Sequence, residues 1–231
     1  MVHIQHLSHR FGTRWALKNV SLDVAKGEFV FLTGPSGAGK TSLLRVLHGA
    51  LPVQQGQVAV AGFNLVRIPR RRLALLRREV SVVFQDFKIL GDETVWENVA
   101  IALRVRATPR PKLERRVRAV LAALQLTELA HITCRELSGG EQQRVAVARA
   151  VVVGPKMILA DEPTGNLDRT LGLRLMNVFK QFYAHGTTIV MATHNSELVH
   201  FIPEATVYRL EGGSIEQLPP TSWEPNDRRH A

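Results

Sequence analysis

The octet Gly34-Pro35-Ser36-Gly37-Ala38-Gly39-Lys40-Thr41 limits what this chain can fold into more than any other feature of it. It matches GxxxxGK[ST], a loop that works only between a strand and a helix, and both flanks are present. Phe29 to Thr33 (FVFLT) is a short apolar run ending at glycine, as a buried central strand is, and a helical pattern runs from Lys40 to about Leu47. Glycines let backbone N–H groups curl around phosphate oxygens, and the helix N-terminus adds positive potential. Lys40 has the reach for the β- and γ-phosphates, and Thr41 can ligate Mg²⁺. The alternative is an inert glycine-rich turn, which the two flanks disfavour. The implied ligand is a nucleoside triphosphate, cradled by Gly34 to Ser42.

Met157-Ile158-Leu159-Ala160-Asp161-Glu162 is a second informative stretch, an apolar strand delivering two carboxylates to its C-terminal edge. Open α/β sheets place ligands at that edge. Asp161 is expected in the Mg²⁺ shell, and strand alternation points Glu162 the other way, to orient an attacking water. Phosphoryl transfer needs positioning and electrostatics more than covalent chemistry, and such a pair supplies both.

Around these motifs strand and helix patterns alternate. Val2–Leu7 and the alternation Val20, Leu22, Val24 read as half-buried strands, followed by strands at Phe29–Thr33, Gln57–Ala61, Ser81–Phe84, Met157–Ala160 and Thr187–Ala192. Helices are expected at Pro69–Arg78, Thr94–Leu103, Lys112–Leu124, Gly140–Val152 and Leu171–Tyr183, and a hairpin at Ala205–Leu218 turning on Gly212-Gly213. That is an α/β fold with a mostly helical middle. The segment 219–231 is expected to be a flexible tail.

Charge and composition narrow the class. Of the formal net charge of +10, +8 falls between Arg67 and Arg118, where 14 Lys/Arg face six Asp/Glu. This run reads either as a solvated helix surface or as a face for an anionic membrane surface. No aromatic residue interleaves in Pro69–Arg78 or Arg104–Arg118, so base stacking has no support and no nucleic acid is expected. The single cysteine, Cys134, excludes a disulfide framework, and no chemistry is expected of it. The longest uncharged stretch, Val46 to Val66, is broken by Pro52 and three glycines and reads as no bilayer span. MVHIQHLSHRFG lacks the pattern of a secretion signal, so a cytosolic chain is expected.

The third motif, Leu137-Ser138-Gly139-Gly140-Glu141, opens a helix with an S-x-x-E capping box. The two glycines inside the box also expose helix-end N–H groups, a second anion site. Here the chain resembles the ATP-binding cassette (ABC) family, whose signature is LSGGQ, with Glu141 as its fifth residue. The other landmarks match in order over residues 2 to about 215: Gln85 in VVFQD at the Q-loop, Asn166-Leu167-Asp168 at the D-loop, and His194 in MATHN as the switch histidine. Phe11 stands where the family usually has a tyrosine stacked on adenine, and GNLD replaces the commoner SALD. The resemblance implies one P-loop NTPase domain of the ABC nucleotide-binding type over 1–218, with an antiparallel β subdomain and a helical subdomain insertion. Its RecA-like core would cover about 1–85 and 156–218, and the helical subdomain about 86–155. It also implies Mg²⁺-dependent ATP hydrolysis with Glu162, His194 and Gln85 as catalytic residues, and Mg²⁺ held by Thr41, Gln85 and Asp161. Phe11, Asp168 and the signature residues Ser138, Gly139, Gly140 and Glu141 would contact ATP. In this family the signature of one copy caps the ATP of another, so a head-to-tail homodimer is implied.

FQDFKIL (84–90) followed by DETVWENVA (92–100) resembles the cell-division branch of the family, whereas LADEPTGNLD (159–168) is shared with lipoprotein-release and macrolide-efflux cassettes. The division branch implies an FtsX-like four-span membrane partner, mechanical control of cell-wall hydrolases, and a further contact with the division-site tubulin-like protein. Its place would be the cytoplasmic face of the inner membrane. The alternative is a transporter ATPase, also with a separate membrane subunit. Only 51 residues separate Gln85 from Leu137, too few for the long coiled-coil arm of soluble cassettes that act on DNA or ribosomes.

Overall fold

The computed structural model describes residues 1–165 and 167–219; Asn166 of the D-loop motif and the tail beyond Pro219 lie outside the described residues. Three strands whose sequences are continuously apolar form its centre: β3 (Phe29–Thr33), β7 (Met157–Asp161) and β8 (Thr188–Ala192), buried at every position. A strand of that kind requires cover on both faces. The sheet order is β10 (Ser214–Leu218), β9 (Thr206–Glu211), β3, β8, β7, β6 (Val80–Val83). Pairing is parallel from β9 to β6, and β10 closes one edge antiparallel.

Strand alternation divides the interior in two. Phe29, Phe31, Ile158, Ala160, Ile189 and Met191 face a core shared with α3 (Val95–Arg104), α4 (Arg110–Ala123), α5 (Gly139–Val151) and α6 (Arg169–Ala184). Val30, Leu32, Met157, Leu159, Val190 and Ala192 face the other core, which includes α1 (Lys40–Leu47). Phe29, Phe31 and Phe179 are fully buried, and each contributes about 1.5–3 kcal/mol over an exposed ring. The helices of the middle region thus share one continuous core with the sheet.

The second core is roofed by an antiparallel sheet of order β2 (Arg14–Val24), β1 (Val2–Phe11), β4 (Gln55–Val60), β5 (Phe63–Asn64). Both long strands extend past their expected ends, to Phe11 and from Arg14. The alternation slips at His6 and Asn19, both in the left-handed region (φ 53° and 49°), whose side chains meet at 2.8 Å across the bulge. The basic helix α2 (Arg70–Glu79) leads into β6, and α7 (Ser196–His200) follows β8. Among the described residues no helix is long and apolar enough to cross a membrane.

Candidate active site

The glycine-rich loop joins β3 to α1, as its sequence requires. Two of its glycines are fixed by the framework rather than by room for a ligand. Gly34 has φ 130°, and a Cβ there would stand 2.0 Å from the Leu210 carbonyl oxygen of β9; Gly39 has φ 112°, with the Ala16 oxygen of β2 at 2.3 Å. Both neighbours are backbone, so neither can step aside. Gly34→Ala is therefore expected to cost ~2–4 kcal/mol in a urea melt without nucleotide, through overpacking and a forbidden φ. Gly139 has no positive φ and no neighbour within 4 Å of a built Cβ, so Gly139→Ala should stay within about 0.5 kcal/mol of the parent.

Lys40, 8% exposed, donates from Nζ to the carbonyl oxygens of Gly34 (2.7 Å) and Pro35 (3.1 Å). The ammonium is thereby aimed along the loop, with one of its three donors still free. Asp161 ends β7 beneath it, buried, and its Oδ1 has no hydrogen-bond partner among the described residues. Burial pushes the Asp161 carboxyl up, against the pull of a hydrogen bond from Thr41 and the charges of Arg45 and Lys40. A buried acceptor without a donor, beside a hydroxyl, fits a hard cation such as Mg²⁺. No group of three or more His, Cys, Asp or Glu residues among those described could hold a metal by itself.

Glu162 has a backbone conformation that strand alternation does not describe. It lines the same cleft as Asp161. The reason is local: β7 ends at Asp161, and Glu162 enters the left-handed region at φ 48°, so period-two reasoning no longer applies. Such a conformation in a non-glycine residue costs of order 1–3 kcal/mol and is retained where surroundings enforce it. Here Glu162 N–H donates to Ala192 O (3.0 Å), and the carboxylate lies 3.0 Å from His194 Nδ1 and accepts from His194 N–H at 3.4 Å. The carboxylate is thus anchored on the end of β8, while the imidazole stays open to solvent.

The cleft has a volume of about 770 Å³ and brings together Phe11, Ser36, Gly37, Ala38, Gly39, Lys40, Thr41, Ser42, Gln85, Asp161, Glu162 and His194. Gly34 and Pro35 stand behind it as acceptors for Lys40. Phe11 is half exposed at the end of β1, and Gln85 is exposed in the turn after β6. Ser138, Gly139, Gly140, Glu141 and Asp168 lie outside this cleft. Asp168 caps α6 through Leu171 N–H at 2.9 Å. The capping box at α5 is formed: Ser138 N–H and Oγ donate to Glu141 Oε2 at 2.8 and 2.7 Å, and Glu141 N–H returns to Ser138 Oγ at 3.4 Å. Those bonds from Ser138 hold the Glu141 carboxyl below the usual carboxylate range.

The family profile described as ABC transporter matches residues 17–165, which contain the loop, both carboxylates and the capping box. This chain belongs to the ATP-binding cassette family. The chain is 46% identical over 200 residues to the cell division ATP-binding protein FtsE of Streptococcus pneumoniae strain D39 (87% of this chain, 86% of the relative). It is 42% identical over 200 residues to FtsE of Escherichia coli K12 (86% and 90%), and 40% over 209 residues to FtsE of Mycobacterium tuberculosis H37Rv (90% and 91%). Among solved structures, the dimeric post-hydrolysis state of the cassette MJ0796 bound to ADP and Pi superposes with a TM-score of 0.89 at 30% identity, covering 96% of this chain and 100% of that one. The expected α/β cassette fold is borne out.

Two residues of this cassette escaped sequence reasoning. Arg14, at the start of β2, lines the cleft although no motif contains it. Asn98 in α3 is fully buried and knots the segment after Gln85: its Oδ1 accepts from Leu90 N–H (2.8 Å), and its Nδ2 donates to Leu90 O (2.9 Å), Thr94 O (3.1 Å) and Cys134 Sγ (3.2 Å). Cys134 N–H and Arg135 N–H in turn donate to Glu93 O and Gly91 O. The chain leaving Gln85 and the chain entering Ser138 are therefore cross-tied. The TVWENVA stretch hints at Asn98, as a lone polar residue on an apolar helix face.

Proposed function

We propose that this cassette is the ATP-hydrolysing subunit of a bacterial cell-division complex, closing head to tail on ATP to drive an FtsX-like integral membrane protein that regulates cell-wall hydrolysis. The observation that carries the hydrolytic part is the convergence of Lys40, Thr41, Asp161, Glu162 and His194 on one cleft. Lys40 neutralises phosphate charge, and the loop N–H groups orient the chain of phosphates. Thr41, Asp161 and Gln85 would hold Mg²⁺, which would supply positive charge to offset that of the phosphates. Glu162 orients and accepts a proton from the attacking water as the new P–O bond forms and the bond to ADP breaks. In this reading His194, which meets the Glu162 carboxylate at 3.0 Å, senses the γ-phosphate.

Dimer closure is supported by the signature. Ser138 to Glu141 sit outside their own cleft, and Gly139 has no internal reason to be glycine. Glycine there leaves the N-terminus of α5 open for another copy's nucleotide to approach, and Asp168 belongs to the same interface. In this reading Phe11 stacks on adenine.

The division role rests on the FtsE relatives, and it places the chain at the cytoplasmic face of the inner membrane, in reach of the division-site tubulin-like protein. The basic segment supports a membrane-facing side. α2 opens with Arg70, Arg71 and Arg72 exposed at the positive end of its dipole, where cations are disfavoured unless an anion lies near. Burial is the largest influence holding Arg106 below its usual value, and Arg78 and Arg116, far apart in sequence, lie close enough to push the same way against the opposing charge of Glu79.

The test is recovery of the membrane partner with an ATP-trapped Glu162→Gln chain from gently solubilised host cells. A four-span protein accompanied by cell-wall factors is the expected result. A permease with a substrate-sized cavity, or a lipoprotein-extracting subunit, would make the chain a transporter motor instead.

A further inference from the structure

Arg14 stands in the cleft with no assigned purpose. It starts β2 directly across the two-residue turn Gly12-Thr13 from Phe11, the two being register partners. Its Nη2 lies 3.3 Å from where a Cβ on Gly37 would be, so the guanidinium rests over the middle of the phosphate loop. Among the described residues no hydrogen bond or ion pair engages that guanidinium. Its hairpin neighbour Arg10, by contrast, lies 5.8 Å from the centroid of the Trp15 ring. Two cations, Arg14 and Lys40, thus line one concave surface.

We propose that Arg14 is a further phosphate-binding residue of this site, donating from its guanidinium to the phosphate chain of the nucleotide and closing the cradle from the antiparallel sheet. The reasoning rests on the nucleotide reading of the cleft. A guanidinium offers five donors in a planar fork that matches two phosphate oxygens, and it has no acceptor with which to satisfy itself. An unpaired guanidinium beside the phosphate loop, with Lys40 lining the same cleft, has its donors available to an anion. Position selects the phosphates over the base: Arg14 covers Gly37 within the loop, whereas Phe11 covers the cleft from the end of β1. Of the hairpin residues in the cleft, Phe11 and Ala16 are apolar, so Arg14 is the hairpin's polar hold on the ligand. One turn therefore delivers a ring for the base and a fork for the phosphates, tying the antiparallel sheet to nucleotide occupancy.

The experiment measures ATP, ADP and adenosine binding, adenosine by competition, at low and moderate salt, for the parent chain, Arg14→Ala, Arg14→Lys and Lys40→Ala. Arg14 is exposed, so folding is not at stake, and thermal melts verify it. Arg14→Ala is expected to weaken ATP and ADP about tenfold, equivalent to ~1.4 kcal/mol, with adenosine unchanged within about twofold. Its salt dependence should be shallower, and Arg14→Lys should recover part of the loss by charge alone. Unchanged ATP affinity would overturn the proposal, as would an equal loss for adenosine or an effect confined to dimerisation. If Lys40→Ala also leaves ATP binding intact, the nucleotide reading itself fails. If Lys40→Ala loses ATP while Arg14→Ala does not, only the role of Arg14 falls.

Discussion

Lys40→Ala should weaken ATP binding by about two orders of magnitude, since a charged hydrogen bond in a desolvated site is worth ~3 kcal/mol. The side chain is almost fully buried and already oriented by two carbonyl oxygens, so little rotamer entropy remains to be lost when phosphate arrives. Alanine removes the charge and leaves the Gly34 and Pro35 carbonyl oxygens without their donor. Arginine is not expected to rescue, because a planar fork does not fit a slot built around a compact ammonium. Titration calorimetry decides the matter. Affinity unchanged in Lys40→Ala would mean that the loop does not hold phosphate.

Glu162→Gln has a different signature, intact affinity with lost turnover. Glutamine keeps the shape and still occupies the strained φ of 48°, but it cannot take a proton from water. Loss of a general base typically costs 10²–10⁴-fold, so turnover should fall by about three orders of magnitude. With hydrolysis blocked, ATP should hold two copies together, and a doubled mass should appear in light scattering. Adding Ser138→Arg should abolish that dimer while leaving ATP bound to single chains, since the bulky cation sits where the other copy's nucleotide would enter. Parental turnover in Glu162→Gln would remove Glu162 from the chemistry. A dimer that persists with Ser138→Arg would refute the head-to-tail arrangement.

What the sequence made legible follows from the range of the forces involved. β3, β7 and β8 were readable because burial on both faces demands uninterrupted apolar runs. The outer half of β1 was not, because the bulge at His6 shifts the alternation by one residue and depends on Asn19 opposite it. β5, with two residues, and α7, with five, are too short to show a period. At the site, the phosphate loop and the paired acids are local patterns, and the structure gathers them in one cleft. The left-handed backbone of Glu162 was not legible, because a single such residue lies beyond any pattern rule. Arg14 was missed because its position depends on how the β1–β2 hairpin folds over a loop some twenty residues later.

The two framework glycines bear on how relatives of this chain are to be judged. Gly34 and Gly39 are imposed by Leu210 and Ala16, backbone neighbours that are present with or without ligand. A descendant that lost Lys40, and with it the capacity to hold nucleotide, would still be under pressure to keep both glycines merely to fold. A pseudoenzyme of this lineage would therefore still display most of the glycine pattern. The state of the lysine and of Glu162, rather than the glycines, separates a working motor from a scaffold that has only inherited its shape.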